Sequence, residues 1–131
     1  MLTDKDYCDY ETCVALKELG YKGTSRFFYA TKESPLRRYS YDQILTTRIA
    51  DAVGHTLAIS LYSAQKWLRE ETNIGIDIRY FSKTHYVYDI YAIRSDKALS
   101  FGHIESDEYA YEEALLEGIK EAIKLLKEER K

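Results

Sequence analysis

The sequence predicts an α+β fold in which helices pack on one face of an antiparallel β-sheet. Two long segments carry apolar residues at helical spacing, and three segments between them are rich in strand-forming residues. Short turns separate those three segments, so consecutive strands are expected to run antiparallel. The 131 residues include one proline and six glycines, which predicts a single domain: a helix and hairpin over 9–41 and an α-β-β-β-α body over 60–129.

The N-terminal region predicts one helix and one hairpin. The helix covers about residues 9–19 and is followed by Gly20, a residue type that commonly ends helices. Residues 26–31 (RFFYAT) favour a strand, and residues 36–41 are its expected partner after a turn that contains the proline. Residues 42–58 give no firm prediction, because an apolar pattern typical of a short helix is weakened by two consecutive threonines.

The body begins and ends with a helix. Its expected elements are a helix over 61–71, strands over 76–81, 86–93 and 99–103, and a helix over 111–128. Ser60 is a favourable N-cap for the first helix, and Asn73 can supply the left-handed residue that ends it. In the last helix, Glu112 and Glu113 complement the positive N-terminal end of the helix dipole.

The first hairpin of the body has two plausible registers, and both keep the even-numbered residues on the face that packs on the helices. One register pairs Asp77 with Asp89, which places like charges opposite each other. The other pairs Arg79 with Asp89 and leaves a three-residue loop over 83–85. The charges favour the second register, which we predict. Three tyrosines are thereby assigned to the core face: Tyr80, Tyr86 and Tyr88.

The odd-numbered face of the same hairpin mixes charged residues with apolar ones. The apolar members are Phe81, Val87, Tyr91 and Ile93. Such a face is too apolar for solvent and too charged for a core, which predicts an interface with a partner protein or a second copy, or cover by the N-terminal segment. Thirteen of the eighteen aromatic residues are tyrosine, and a ring with a polar tip suits half-buried positions and wet interfaces.

An alternative function, nucleic-acid binding, is suggested by the basic and aromatic residues around 26–39. The candidate contacts are Arg26, Phe28, Arg37, Arg38 and Tyr39. Arginines neutralise phosphates, and exposed rings stack on unpaired bases. A hairpin with its rings packed inward and its arginines in solvent explains the same residues. The net charge of −3 favours this second interpretation.

The sequence pattern predicts neither an enzyme nor a bound cofactor or metal. His55, His85 and His103 are far apart in sequence and lack metal-ligand spacing. Cys8 and Cys13 predict two reduced thiols in a cytoplasmic protein. No run approaches the ~18 apolar residues of a membrane span, and the N-terminus is too polar for a signal peptide. We therefore expect a non-enzymatic accessory or protein-interaction module.

Three segments carry a resemblance to a known group of proteins. They are DYETCVALKELG over 9–20, LYSAQKWLREE over 61–71 and YEEALLEGIKEA over 111–122. Together they resemble small uncharacterised proteins encoded in gut Bacteroides genomes and their phages. The resemblance implies a cytosolic accessory protein of phage or prophage origin, and it carries over no functional residues.

The order of elements over 60–128 also resembles the double-stranded-RNA-binding fold, and the last strand and helix resemble HicB-type antitoxins. Where the RNA-binding fold has lysines at the start of its last helix, this chain has acidic residues, which repel phosphate. They are Asp107, Glu108, Glu112 and Glu113. The resemblance therefore implies a topology and not duplex-RNA binding.

Overall fold

The computed structural model describes residues 4–39 and 44–129, and it confirms the predicted α+β class with antiparallel sheets. The chain divides into two compact units, the first up to Ser60 and the second from Leu61. The first unit contains two small sheets and the second unit contains one, and each unit has its own helices. The prediction of one domain for the whole chain stays a prediction.

The first unit consists of short elements. They are a 3-10 turn at Asp4–Asp6, α1 (Tyr10–Glu18), β1 (Thr24–Ser25), β2 (Phe27–Tyr29), β3 (Arg37–Arg38), β4 (Leu45–Thr46), α2 (Thr47–Ala52) and β5 (Thr56–Leu57). The strands form an antiparallel β1-β4 pair and an antiparallel sheet of order β3-β2-β5. The predicted hairpin is confirmed, with Phe28 opposite Arg37, although its strands are shorter than expected. Residues 40–41 of the predicted second strand lie outside the described residues.

The core of the first unit forms around the start of α1. Asp9 caps this helix, because its side chain accepts a hydrogen bond of 2.9 Å from the backbone N–H of Thr12. Cys8 and Cys13 are buried free thiols, and Cys13 Sγ accepts a hydrogen bond of 3.3 Å from the backbone N–H of Ile59. Tyr29 donates its hydroxyl to the carbonyl oxygen of Cys8 at 2.7 Å. These buried polar contacts tie α1 to β2 and to the segment after β5.

The second unit is a three-stranded antiparallel sheet whose strands are preceded and followed in the chain by a helix. Its elements are α3 (Leu61–Glu71), β6 (Ile74–Ser82), β7 (His85–Ala92), β8 (Lys97–Glu105) and α4 (Ala110–Glu129). The strand order is β6-β7-β8, as the sequence predicts. Asn73 ends α3 with φ 63°, the left-handed conformation expected there, and its side-chain oxygen accepts a hydrogen bond from the backbone N–H of Arg94 at 2.9 Å.

Helix α4 packs closely on the even-numbered face of the sheet. A Cβ atom added at Gly118 would lie 2.9 Å from Cγ2 of Ile76, so the absence of a side chain lets helix and sheet approach each other. Ile119, Ile76 and Ile90 are buried at this contact face. Helix α3 contacts β6, where the side-chain amide of Gln65 donates a hydrogen bond of 2.8 Å to the carbonyl oxygen of Ile76.

The predicted register of the β6–β7 hairpin is wrong. Asp77 lies opposite Asp89, and Arg79 lies opposite Val87. Ser82 pairs with His85, so the turn has two residues, and a β-bulge between Tyr80 and Ser82 absorbs the extra residue. Arg79 reaches Asp89 diagonally instead of directly, with one Nη2–Oδ1 distance of 3.3 Å. This diagonal ion pair reduces the repulsion between Asp77 and Asp89, which is the repulsion that favoured the other register in the sequence.

The assignment of Tyr80 to the core is also wrong. Burial falls along β6: Ile74 and Ile76 are buried, whereas Tyr80 is 69% exposed. Tyr86 and Tyr88 are half-buried on the same face, and the Tyr88 ring lies over Gly102 of β8. The end of the hairpin therefore extends beyond the part of the sheet that the helices cover.

Candidate functional site: the open face of the second unit

The odd-numbered side chains of the second unit form a face of the sheet opposite α4, which we call the open face. Its members are Asp77, Arg79, Phe81, His85, Val87, Asp89, Tyr91, Phe101, His103 and Glu105. Phe101 is 77% exposed and Phe81 is 70% exposed. Two large aromatic side chains are therefore largely exposed on the same face of one sheet.

Charged side chains of both signs occupy the middle of the open face. Arg79 binds Asp89 through two guanidinium nitrogens, and this hydrogen-bonded ion pair raises the pKa of Arg79. The Tyr91 hydroxyl donates to Asp77 Oδ1 at 3.3 Å. Partial burial, with the nearby Asp77 carboxylate, raises the pKa of Tyr91. Each aspartate of the like-charge pair therefore has its own partner.

The hairpin end of the open face holds a cluster of rings around His85. Its ring centroid lies 4.7 Å from that of Phe81 and 5.0 Å from that of His103. His85 Nδ1 lies 3.5 Å from Glu105 Oε1, and its buried Nε2 has no hydrogen-bond partner within the part of the chain that the structure describes. These rings line a shallow cleft of about 270 Å³ that also includes Val87 and Phe101.

Three of the four residues predicted as an interface lie on the open face. Phe81 is exposed at the rim of this face, and Val87 is half-buried near its centre. The Tyr91 ring lies over Gly75. Ile93, 37% exposed, follows β7 and lines a separate cleft with Asn73 at the end of α3. The sequence prediction missed Phe101. The strand predicted over 99–103 includes this residue, but the face on which it lies follows only from its pairing with Asp89.

The residues predicted to contact nucleic acid are divided between solvent and a packed cluster. Arg26, Arg37 and Arg38 are exposed. The Phe28 ring stacks on Tyr39 at 4.2 Å and on His55 at 4.3 Å. Tyr39 is 9% exposed, and burial raises the pKa of its hydroxyl. The rings therefore contact one another, as in the interpretation with rings packed inward.

The described residues, 4–39 and 44–129, contain neither a metal-binding cluster nor a membrane-spanning helix. No group of three or more histidine, cysteine, aspartate or glutamate side chains there is arranged to hold a metal ion. No described helix is both long enough and apolar enough to cross a membrane.

Comparison with protein-family models, with curated proteins and with solved structures finds no match. The fold and the site themselves define the class: an α+β protein in which an antiparallel sheet has helices on one face and exposed aromatic residues on the other.

Proposed function

We propose that the chain is a protein-interaction module that self-associates through the open face of β6–β8. The observation that carries this proposal is the exposure of Phe81 and Phe101 on the same side of one sheet. Burying a large aromatic side chain contributes strongly to association, and such residues dominate the energetics of many interfaces.

The charges of the open face support a second copy as the partner. Most homodimers have two-fold symmetry, so the same patch must be complementary to itself. The open face can meet this condition because it carries charges of both signs: Arg79 lies next to Asp77 along β6 and diagonally across from Asp89, with Glu105 at the rim. A two-fold axis through such a patch brings the cation of each copy near carboxylates of the other.

The size of the open face indicates a weak, reversible dimer. Strands of nine residues at ~3.3 Å per residue and three strands spaced ~4.8 Å apart give a flat area of roughly 400 Å². A stable interface buries about 800 Å² on each partner. Association is therefore expected to depend strongly on protein concentration.

The proposal is tested by recording amide NMR spectra across a dilution series. Amides of β7 and of the exposed β8 residues should shift with concentration, whereas those on the solvent side of α4 should not. The Phe101→Ser variant should show much smaller shifts, and Tyr62→Ser is its matched control, because Tyr62 is 65% exposed on α3, outside the open face. Spectra that do not change with concentration would rule out self-association over the range used.

The alternative function, nucleic-acid binding through 26–39, has less support. The exposed arginines remain suitable for phosphate contact. The two rings predicted to stack on bases, Phe28 and Tyr39, already stack on each other. The self-association proposal does not depend on this region.

A further inference from the structure

Three tyrosines form an exposed cluster where the β6–β7 hairpin meets the start of α4. Tyr80 and Tyr86 are direct cross-strand neighbours on the even-numbered face, and Tyr111 lies in the first turn of α4. We call this group the tyrosine cluster. Tyr80 is 69% exposed, Tyr111 is 44% exposed and Tyr86 is half-buried between them. The cluster lies on the opposite side of the sheet from the open face.

The rings of the tyrosine cluster are turned at about right angles to one another. Tyr80 and Tyr86 have centroids 5.7 Å apart and an interplanar angle of 75°. Tyr86 and Tyr111 have centroids 5.5 Å apart and an angle of 90°. Because successive rings are nearly perpendicular, their faces border concave corners instead of forming a flat stack. A small group placed in such a corner contacts more than one ring.

The electrostatic surroundings of the tyrosine cluster favour a cation. The face of a phenol ring carries negative potential, which attracts ammonium groups within about 6 Å of the ring centroid. Residues 107–117 add five acidic side chains and no basic one. Asp107 and Glu108 are exposed just before α4 begins. Both contributions attract positive charge to the surface that Tyr111 shares with Tyr86.

The geometry points to the tyrosine cluster as a binding site for a quaternary ammonium group, such as the trimethylammonium of choline or of a trimethylated lysine. A quaternary ammonium has no N–H donors, so aromatic faces can replace its weak hydration shell, whereas a lysine ammonium is strongly hydrated. The site is open on one side, and its affinity for an isolated trimethylammonium ion is expected to be on the order of 1–10 mM.

The test is a titration of the full chain with choline chloride, followed by the NMR signals of the tyrosine side chains at constant ionic strength. The matched ligand is 3,3-dimethylbutanol, which has the shape of choline with carbon in place of the charged nitrogen. Choline should shift the signals of Tyr80, Tyr86 and Tyr111, and the neutral analogue should shift them far less. A parallel titration with a trimethyllysine peptide and its unmethylated form distinguishes a protein ligand from a free small molecule.

Variants of exposed residues separate a cation site from a general effect. Tyr80→Leu and Tyr111→Leu keep an apolar side chain and should each weaken choline binding at least threefold, whereas Tyr80→Phe and Tyr111→Phe keep the ring and should bind nearly as well. Tyr62→Leu on α3 is the control and should have no effect. The inference is overturned if the neutral analogue binds equally well, if the leucine variants bind as the parent does, or if choline produces no shift at all.

Discussion

Asp77 lies directly opposite Asp89 across the β6–β7 ladder, and each carboxylate is held by a different side chain. Asp89 binds Arg79, whereas Asp77 accepts a hydrogen bond from Tyr91. All four side chains lie on the open face. The like-charge pair is therefore stabilised by diagonal contacts, and the hairpin should become sensitive to the loss of either partner.

Replacing Arg79 with alanine should lower the melting temperature, because Asp89 then faces Asp77 without its cation. The loss should be reversed when Asp89 is also changed to asparagine, since the repulsion disappears. Lys32→Ala is the matched control: it removes an exposed ion pair with Glu11, at 3.5 Å, without leaving two carboxylates opposed. If Arg79→Ala and Lys32→Ala had equal melting temperatures, the diagonal contact between Arg79 and Asp89 would not be what stabilises the hairpin.

Stability should fall at alkaline pH through Tyr29. Burial raises the pKa of this hydroxyl well above 10.0, so the folded state holds the proton more tightly than the unfolded chain. The stabilisation that Tyr29 gives the folded state is fully present below pH 10 and is lost as the pH rises above 10. Tyr29→Phe loses the hydrogen bond to Cys8, which should lower the free energy of unfolding by about 1 kcal/mol at neutral pH. The free energy of unfolding of this variant should also decrease less than that of the parent as the pH rises above 10. Denaturant unfolding at neutral and alkaline pH measures both effects.

Gly118→Ala should destabilise the second unit despite the better helix propensity of alanine. The propensity gain is about 1 kcal/mol, whereas forcing a methyl group into a packed contact typically costs 1–3 kcal/mol, so a net loss of about 1 kcal/mol is expected. Thermal unfolding of the variant is the measurement. A higher melting temperature would show that Ile76 moves aside freely and that the close approach of α4 has no energetic role.

Changing Arg37 and Arg38 together to alanine should leave retention on heparin nearly unchanged. The rings that would stack on bases are packed against each other, and the chain is acidic overall. A salt-sensitive retention of the parent that the double variant loses would instead support the alternative, nucleic-acid binding, and would place it on this hairpin.

The helices of the second unit could be predicted almost residue by residue. The helix expected over 61–71 is α3, and the one expected over 111–128 is α4 with one more residue at each end. Both have a long apolar stripe that faces the sheet, so the periodicity of the sequence and the burial of the helix agree. In the first unit the strands contain two or three residues, too few to produce a recognisable period.

The face of the sheet was harder to predict than its strands. The predicted register is wrong because it weighs only the charges of directly opposed residues, whereas Arg79 is long enough to reach Asp89 from the next pair. Phe101 was missed for a related reason. Its place on the open face depends on how β8 pairs with β7, and that pairing contains a bulge between Ile90 and Tyr91. Alternation within one strand does not reveal a bulge.

The most direct test of the central claim, self-association through the open face, is sedimentation equilibrium of the parent, Phe101→Ser and Tyr62→Ser over a wide range of protein concentration. Both variants remove a largely exposed aromatic ring, one on the open face and one outside it. The account predicts a reversible dimer for the parent and for Tyr62→Ser, and an association constant lower by about tenfold or more for Phe101→Ser. A parent that stays monomeric throughout, or a Phe101→Ser variant that dimerises as well as the parent, would contradict it.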